Sequence, residues 1–430
     1  NFLSLISTGN KYAVASRGPW AWEGEWVWRW KDRIDRRWMK KYQELPAMPI
    51  PSGIEIEAGL ASAETLKEIS TSVMRCGGCG AKVGSTILTR VLQRLKPIQR
   101  DDILLGLQSP DDAAALRVPP GQVSVQTVDF FRSFINDPYL FGRITALHCL
   151  SDIFAMGATP QSALALATIP YGLETKVEEQ LYQVMAGAVE ELNQHDTALS
   201  GGHTAEGAEL VFGLVVTGLA EPNRLLHKGG MRPGDQLILT KPLGTGTLLA
   251  AEMRGQAKAA WIESALTSML RSNRDGGQCF LRHHAHACTD ITGFGLLGHL
   301  VEMIQASSGI AVELALERIP LLEGVLAAIR AGILSSLQPQ NLRLRRAVRN
   351  MEEAAAQERY PVLFDPQTAG GLLASVPAGE AEACVAELKQ QGYAQAAIIG
   401  TVTPHAGETP PITITGHLHS MGDGSRKSHP

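Results

Sequence analysis

Long apolar runs are missing from this 430-residue chain. None approaches the roughly 18 consecutive apolar residues that a membrane-spanning helix needs. No basic start, apolar core and small-residue cleavage site combine into a signal peptide. Charge of one sign is missing too. The 39 Lys and Arg stand against 43 Asp and Glu, a net charge of −4, so no general affinity for nucleic acid is expected. Cysteine is scarce: Cys76, Cys79, Cys149, Cys279, Cys288 and Cys384 are too few and too scattered for a disulfide framework. A reducing, cytoplasmic setting is the expectation. Two nucleotide signatures are absent: the G-x-x-x-x-G-K-[ST] phosphate loop, and a G-x-G-x-x-G that follows a strand in a βαβ unit. What remains is a chain of 44% hydrophobic and 19% charged residues, able to bury real cores in two or three domains.

Aromatic residues are unevenly spread. Six of the seven tryptophans (Trp20, Trp22, Trp26, Trp28, Trp30 and Trp38) lie in residues 1–45. The stretch "RWKDRIDRRWMKK" (29–41) carries seven basic and two acidic residues and reads as a basic helix with an aromatic edge. It suits packing on a neighbouring domain or lying on a membrane surface. Residues 46–74 open with "PAMPIPSG" and read as a linker with a short helix at 61–71. The body runs from 75 to 405. In "VGSTILTRVLQRL", Val83, Ile87, Val91 and Leu95 recur every four residues, which gives a helix one apolar face. "QVSVQTVDF" alternates and reads as a strand ending at Asp129. "FGRITALHCLSDIFAMG" reads as a helix stopped by Gly157. "ELVFGLVVTGLAE" is a buried strand, and the following "PNRLLHKGGMRPGD" separates two lobes, 75–225 and 226–405. The second lobe opens with strand "QLILTKP", with helices expected near 246–254, 262–273 and 294–306. Its further strands are expected near 310–316, 371–376 and 396–402. The tail, 406–430, is rich in Gly, Pro, Ser and His and is expected to fray.

Aspartates beside predicted apolar elements carry the strongest chemical signal: Asp111 and Asp112 in "SPDDAAAL", Asp129 in "QTVDFF", Asp152 in "LSDIFAMG" and Asp290 in "CTDITGFGLLGH". Each alone is explained by an N-cap or an ion pair. Together they suggest converging carboxylates, which call for cations, and hard oxygen ligands suit magnesium with substrate phosphates. The glycine-dense turns "SGGHTAEG" (200–207) and "KPLGTGTLL" (241–249) offer backbone N–H groups to phosphate, though glycine turns are common without it. "RCGGCGAKVG" (75–84) places a C-x-x-C before a lysine. Structural zinc needs further ligands: no second C-x-x-C exists, and "RHHAHAC" (282–288) reads equally as an exposed histidine-rich face. A redox pair is expected after a strand, and a linker precedes this one. The third reading is a glycine-rich loop carrying one nucleophilic thiol, Cys79, and one phosphate-binding lysine, Lys82. The lysine and the following helix start would both favour the thiolate.

These stretches, with "GCGAKV", "DDAA", "TVDFF", "DPYLFGRITALHCLSDIFAMGATP", "SGGHT", "FGLVVTG", "LTKPLGTG", "TDITGFGLLGHL" and "DPQTAGGLL" in that order, resemble the selenophosphate synthetase (selenide, water dikinase) family. That family belongs to an ATP-binding superfamily that includes aminoimidazole ribonucleotide synthetase. The resemblance covers residues 75–405. It implies a two-lobed α/β fold with an N-terminal ATP-binding lobe, a C-terminal α/β lobe and a homodimer. It also implies ATP and selenide as substrates, magnesium as cofactor, and the reaction ATP + selenide + water → selenophosphate + phosphate + AMP. By the same resemblance, Cys79 matches the catalytic Cys or selenocysteine and Lys82 the essential lysine. Asp112, Asp152 and Asp290 match metal ligands, and Asp129 a residue contacting nucleotide and metal. Ser109, Pro110 and Asp111 match one ATP-contacting segment, and Gly202, His203 and Thr204 another. The chain departs from the family pattern in two places. Ala81 stands where some members have a further cysteine, and Cys76 where others have none.

"LSLISTGNKYAVASRG" with the Trp/Arg-rich helix resembles the C-terminal end of NADH dehydrogenase-like flavoproteins of the pyridine nucleotide-disulfide oxidoreductase type. Residues 1–45 are therefore expected to be the remnant of such a domain, and the chain, with Asn1 as its first residue, to be the end of such a fusion. Contact of the helix with the upstream flavoprotein domain or a membrane surface is the accompanying expectation. Two other functions remain open: a related ATP-dependent kinase or ligase on the same scaffold, and a non-catalytic ATP-binding regulator. The thiol at Cys79 speaks against the first, and the intact aspartates with Lys82 against the second.

Overall fold

The computed structural model describes residues 4–9, 11–43, 81–405, 407 and 409–416. Cys76 and Cys79, and the linker helix expected at 61–71, lie outside them. The chain divides into two compact units, Asn1–Arg75 and Cys76–Pro430.

In the first unit, strands β1 (Ser4–Gly9), β2 (Tyr12–Arg17) and β3 (Trp20–Gly24) form an antiparallel sheet ahead of helix α1 (Glu25–Gln43). The basic helix is present, and longer than its sequence pattern suggests. The three strands before it were not anticipated. The core is slight: Ala13, Ala15 and Val27 are fully buried. Trp20 and Trp26 stay more than half exposed. Pairs four residues apart, Glu25 with Arg29 and Asp32 with Arg36, line the outer face of the helix.

The second unit begins with α2 (Ser85–Arg94), whose Ile87 and Val91 are buried, as the four-residue spacing predicts. A short ribbon, β4 (Ile103–Leu105) with β5 (Ala115–Leu116), precedes the first large sheet. That sheet has the order β6 (Val123–Arg132), β9 (Val211–Ala220), β7 (Thr159–Pro170), β8 (Ala198–Gly207). Its pairs are antiparallel except β7 with β8. Between β6 and β7 runs α3 (Pro138–Ala155), and between β7 and β8 runs α4 (Glu174–Gln194). Asp137 caps α3 by accepting the Leu140 N–H at 3.0 Å, with Pro138 in the first turn. Thirteen of the 18 residues of α3 are buried, which is why its apolar residues show no one-sided period: the helix is covered all round. It packs on α4 at very short range. A Cβ on Gly142 would lie 2.0 Å from the Val184 carbonyl oxygen, and one on Gly187 2.0 Å from that of Tyr139. The two glycines let the backbones touch.

The second sheet has the order β11 (Ala287–Asp290), β13 (Leu372–Val376), β10 (Gln236–Leu239), β14 (Ala397–Pro404), β12 (Ile310–Ala315), β15 (Ile412–Thr415). Around it stand α5 (Thr245–Met253), α6 (Ala259–Met269), α7 (Arg274–Arg282), α8 (Gly295–Gln305) and the helix Ala378–Gln390. The largest core cluster among the described residues runs through this half, from Met231 to Ile414, and takes in Ile144 of α3.

Three expectations need correction. The strand carrying Asp129 continues to Arg132, so Asp129 lies inside it. "SGGHTAEG" is not a turn but most of β8. Gly202, at φ 152°, lies where a Cβ would meet the Ala165 carbonyl oxygen at 2.2 Å, so its glycine serves close strand approach rather than chain reversal. The tail is not wholly frayed: Ile412–Thr415 pairs in parallel with β12, burying Ile412 and Ile414. Asn350 holds its other side, accepting the Ile414 N–H at 3.0 Å and donating to the Ile414 carbonyl at 2.8 Å.

Candidate active site

Three of the predicted aspartates meet. Asp129 from the middle of β6, Asp152 from the last turn of α3 and Asp290 from the end of β11 line one cleft of about 470 Å³. Thr127, two residues before Asp129 and so on the same strand face, donates its hydroxyl to Asp152 Oδ2 at 2.5 Å. Asp152 acts on both of the others through its charge. Burial, then the charge of Asp152 and hydrogen bonding with it, raise Asp129 to about 6. Burial, then Asp152, raise Asp290 to about 7, with Ser151 and Lys228 pulling the other way. Asp290 is 6% exposed, and its Oδ2 has no hydrogen-bond partner. A buried carboxylate oxygen left without a donor is costly. A proton or a cation relieves both that cost and the mutual repulsion. An all-oxygen, all-anionic donor set fits a hard divalent cation such as magnesium.

Behind the carboxylates lies a ring of uncharged or weakly charged partners that the residue pattern had not marked. His148, in α3, accepts the Ala369 N–H through Nδ1 at 3.1 Å. Its proton is therefore on Nε2, which faces Asp129 Oδ2 at 3.6 Å. Burial pushes His148 down to about 4, so it is neutral around pH 7. Lys241, from "LTKPLGTG", is buried. Its Nζ donates to the Ala369 carbonyl at 3.1 Å and to that of Arg271. Burial, then Arg271, lower it to about 7. Ala369 sits at φ 47°, a conformation unusual for a residue with a side chain, and both of its peptide groups are held by these two side chains. Thus "LHCLSD", "LTKP" and "DPQTAGG", distant in sequence, brace one corner of the cleft. His227, Lys228, Phe294 and His299 also line it. The only sequence signal for them was their place in or near the recognised motifs.

The other predicted residues gather elsewhere. Gly202, His203 and Thr204 lie on β8, the edge opposite β6, and line a small, largely apolar pocket of about 90 Å³ with Leu88, Leu107 and Met185. The backbone of Lys82 bridges to Ala205 on that same edge, so Lys82 stands beside Thr204 with its side chain exposed. Ser109 lies at the rim of a neighbouring open cleft of about 430 Å³. Pro110, Asp111 and Asp112 are exposed in the loop between β4 and β5. The structure does not bring Asp112 to Asp152 and Asp290: Asp111 and Asp112 bond each other locally, Asp111 Oδ1 accepting the Asp112 N–H at 2.8 Å. The glycine turn at α5 is closed to phosphate. The N–H groups of Gly244 and Thr245 donate to the buried Gln367 Oε1 at 3.0 and 3.2 Å, so the helix start is already satisfied from within.

Residues 110–220 match the family described as AIR synthase related protein, N-terminal domain, and residues 232–411 its C-terminal domain counterpart. Among curated proteins, the selenide, water dikinase of Myxococcus xanthus (strain DK1622) is 41% identical over 349 residues, covering 80% of this chain and 97% of that protein. That of Pelobacter propionicus is 39% identical over 332 residues, covering 77% and 94%. This chain belongs to the selenide, water dikinase family. The family's fold is the α/β arrangement seen here. Hydrogenase maturation protein HypE shares it at a TM-score of 0.59 and 18% identity, covering 80% of this chain and 98% of HypE. Thiamine-monophosphate kinase from Stenotrophomonas maltophilia K279a shares it at 0.56 and 22%, covering 77% and 95%. A further HypE structure, in complex with ATP, matches at 0.56 and 17%, covering 72% and 85%.

Proposed function

We propose that this chain is a selenide, water dikinase that converts ATP, selenide and water into selenophosphate, phosphate and AMP. The observation that carries the reading is the meeting of Asp129, Asp152 and Asp290 in one cleft, in a chain 41% identical to a protein of that name. Asp152 and Asp290, with Asp129 beside them, would hold magnesium, and Asp112 would join them from its exposed loop. Bound there, magnesium supplies charge neutralisation for the triphosphate.

The chain's own groups do the rest. Asp290, with one oxygen free, accepts the load without losing an internal hydrogen bond. Thr127 orients Asp152. Neutral His148 keeps its Nε2 proton towards Asp129, so it steadies that carboxylate without adding positive charge. Lys82, exposed beside Thr204, is proposed to reach the transferring phosphoryl group, where its ammonium would offset developing negative charge. Ser109, Pro110, Asp111, Gly202, His203 and Thr204 are proposed to contact ATP. Cys79, three residues before Lys82, would present or position the selenium nucleophile. In the first transfer, selenide attacks the γ-phosphorus and ADP leaves. In the second, water attacks the remaining terminal phosphorus and AMP leaves.

A homodimer is part of this reading. Val128 and Phe130 on β6 are 54% and 65% exposed, an apolar outer strip that a second copy would cover. The lobes are taken as 75–225 and 226–405. The exposed tryptophans and basic face of α1 suit an upstream flavoprotein domain or an anionic membrane surface. The reaction is tested by anaerobic incubation with ATP, magnesium and selenide, measuring AMP. Selenide-dependent AMP and selenophosphate are expected. Turnover independent of selenide overturns the reading.

A further inference from the structure

Away from the carboxylate cleft, two helices place a second set of ligands together. Cys279 lies on α7, and His283 caps its C-terminal end four residues later. Residues four apart share a helix face. Opposite stands the helix Ala378–Gln390, on which Glu380, Cys384 and Glu387 share one face by the same spacing. The Cys279 and Cys384 sulfurs, both in fully buried residues, are 3.8 Å apart. The Cys279 and Cys384 sulfurs and a His283 ring nitrogen all lie within 4.8 Å of one another. His283 is gripped on both sides: Nδ1 is 2.9 Å from Glu380 Oε2, and Nε2 is 2.9 Å from Glu387 Oε2. This is the one histidine of "RHHAHAC" that turns to the cysteines. His284 is exposed, and His286 faces Asp235 at 2.9 Å.

We propose that Cys279, Cys384, His283 and Glu380 form a structural zinc site that ties α7 to the helix Ala378–Gln390. The distances favour it. Tetrahedral zinc with Zn–S bonds of about 2.3 Å sets its two sulfurs about 3.8 Å apart, the separation found here. The donor set, two thiolates with an imidazole and a carboxylate, is one zinc takes. The two carboxylates divide the work. Glu387 is already committed to Arg282 and to Gln391, whose Nε2 donates to it at 2.8 Å. Glu380 has no side-chain partner but His283 among the described residues, and its side chain is 45% exposed. Glu380 is therefore free to turn from the ring to the metal, leaving Nδ1 as the ligating nitrogen. Nε2 then donates to Glu387, the carboxylate–histidine support common behind zinc ligands. The sulfurs are buried while Glu380 reaches solvent, which gives the ion an entry. Arg282 offsets the net negative charge of two thiolates and a carboxylate around a dication.

The site has a structural consequence for the cleft. The residue preceding α7, Asn273, donates to the Ser151 hydroxyl and to the Gly370 carbonyl, both at 2.9 Å. Ser151 directly precedes Asp152. A clamp at the far end of α7 thus fixes the element that braces the carboxylates.

The test uses the full chain. Purified protein is dialysed against zinc and then a mild chelator, and zinc is counted per chain. Cobalt(II) is added to metal-free protein to read thiolate-to-metal and tetrahedral ligand-field absorption. One tightly held zinc and an intense cobalt spectrum are expected. Both should persist in a Cys76→Ser/Cys79→Ser variant and vanish in Cys279→Ser/Cys384→Ser. Should the latter fold poorly, His283→Gln and Glu387→Gln serve instead, the second weakening zinc by about 10-fold. Zinc that follows Cys76 and Cys79, no zinc at all, or a Cys279–Cys384 disulfide in the metal-treated protein would overturn the proposal.

Discussion

Two groups of aspartates look alike in the sequence and differ in the fold. Asp129, Asp152 and Asp290 come from a strand, a helix and a strand end, so each is held by regular secondary structure. Asp111 and Asp112 stand exposed in a loop and bond only locally. In the first group, burial and the charge of Asp152 raise the other two members towards neutrality. The second lies on an open, water-exposed loop. What separates them is the solvent that burial removes. A carboxylate in water is content without a cation, whereas a buried one with an unpartnered oxygen is not. Under the proposed function, the cleft group is the one that gains most from a cation, and the loop group would only add to it.

Breaking the cleft group should have the largest effect. Asp152→Asn or Asp290→Asn is expected to lower selenide-dependent AMP formation by at least 10²–10³-fold, on the order of the loss of one transition-state electrostatic contact, measured anaerobically at saturating ATP. Loss below 10-fold would remove these residues from the proposed site. Asp112→Asn should be milder, roughly 10-fold, with the loss concentrated in the magnesium concentration needed for half-maximal rate. A metal dependence unchanged from wild type would confine Asp112 to the loop and away from the chemistry.

Local order was readable in the sequence wherever a segment answers to its own neighbours. The four-residue spacing from Val83 to Leu95 gave α2, and alternation gave β6. The stop at Gly157 fits the end of α3 at Ala155. Misreadings arose where a distant segment decides. "SGGHTAEG" looks like a turn because glycine usually makes one, yet the neighbouring β7 requires Gly202 to be bare. "KPLGTGTLL" looks like a phosphate cradle until Gln367, over 120 residues later, fills it. The convergence of Asp129, Asp152 and Asp290 was suggested by their number and named by resemblance, since no local pattern links them. Lone buried groups such as His148 and Lys241 gave no signal, because a histidine or lysine among apolar residues is ambiguous until its partners are known. Cys279 and Cys384 were dismissed as scattered, and 105 residues of separation hid their contact.

The smallest expected effect isolates the burial argument from catalysis. In metal-free protein, Asp290 titrates at about 7 in the fold against about 3.9 in an unfolded chain. A raised carboxyl binds its proton more tightly in the native state, so its contribution is complete below the unfolded value and is lost as pH rises through about 7. Asp129, at about 6, acts in the same direction. His148 and His299, both lowered to about 4, act oppositely in acid, and Lys241, lowered to about 7, acts oppositely in alkali. The comparison must therefore be between wild type and Asp290→Asn, which share those groups. With chelator present, the Asn variant should gain on wild type in melting temperature between pH 5.5 and pH 8, by roughly 2–4 °C for each kcal/mol of ionisation cost. Magnesium should close that gap by stabilising wild type alone. Parallel melting curves across this range would mean that Asp290 ionises freely, and the distinction between the cleft and loop carboxylates would then rest on position alone.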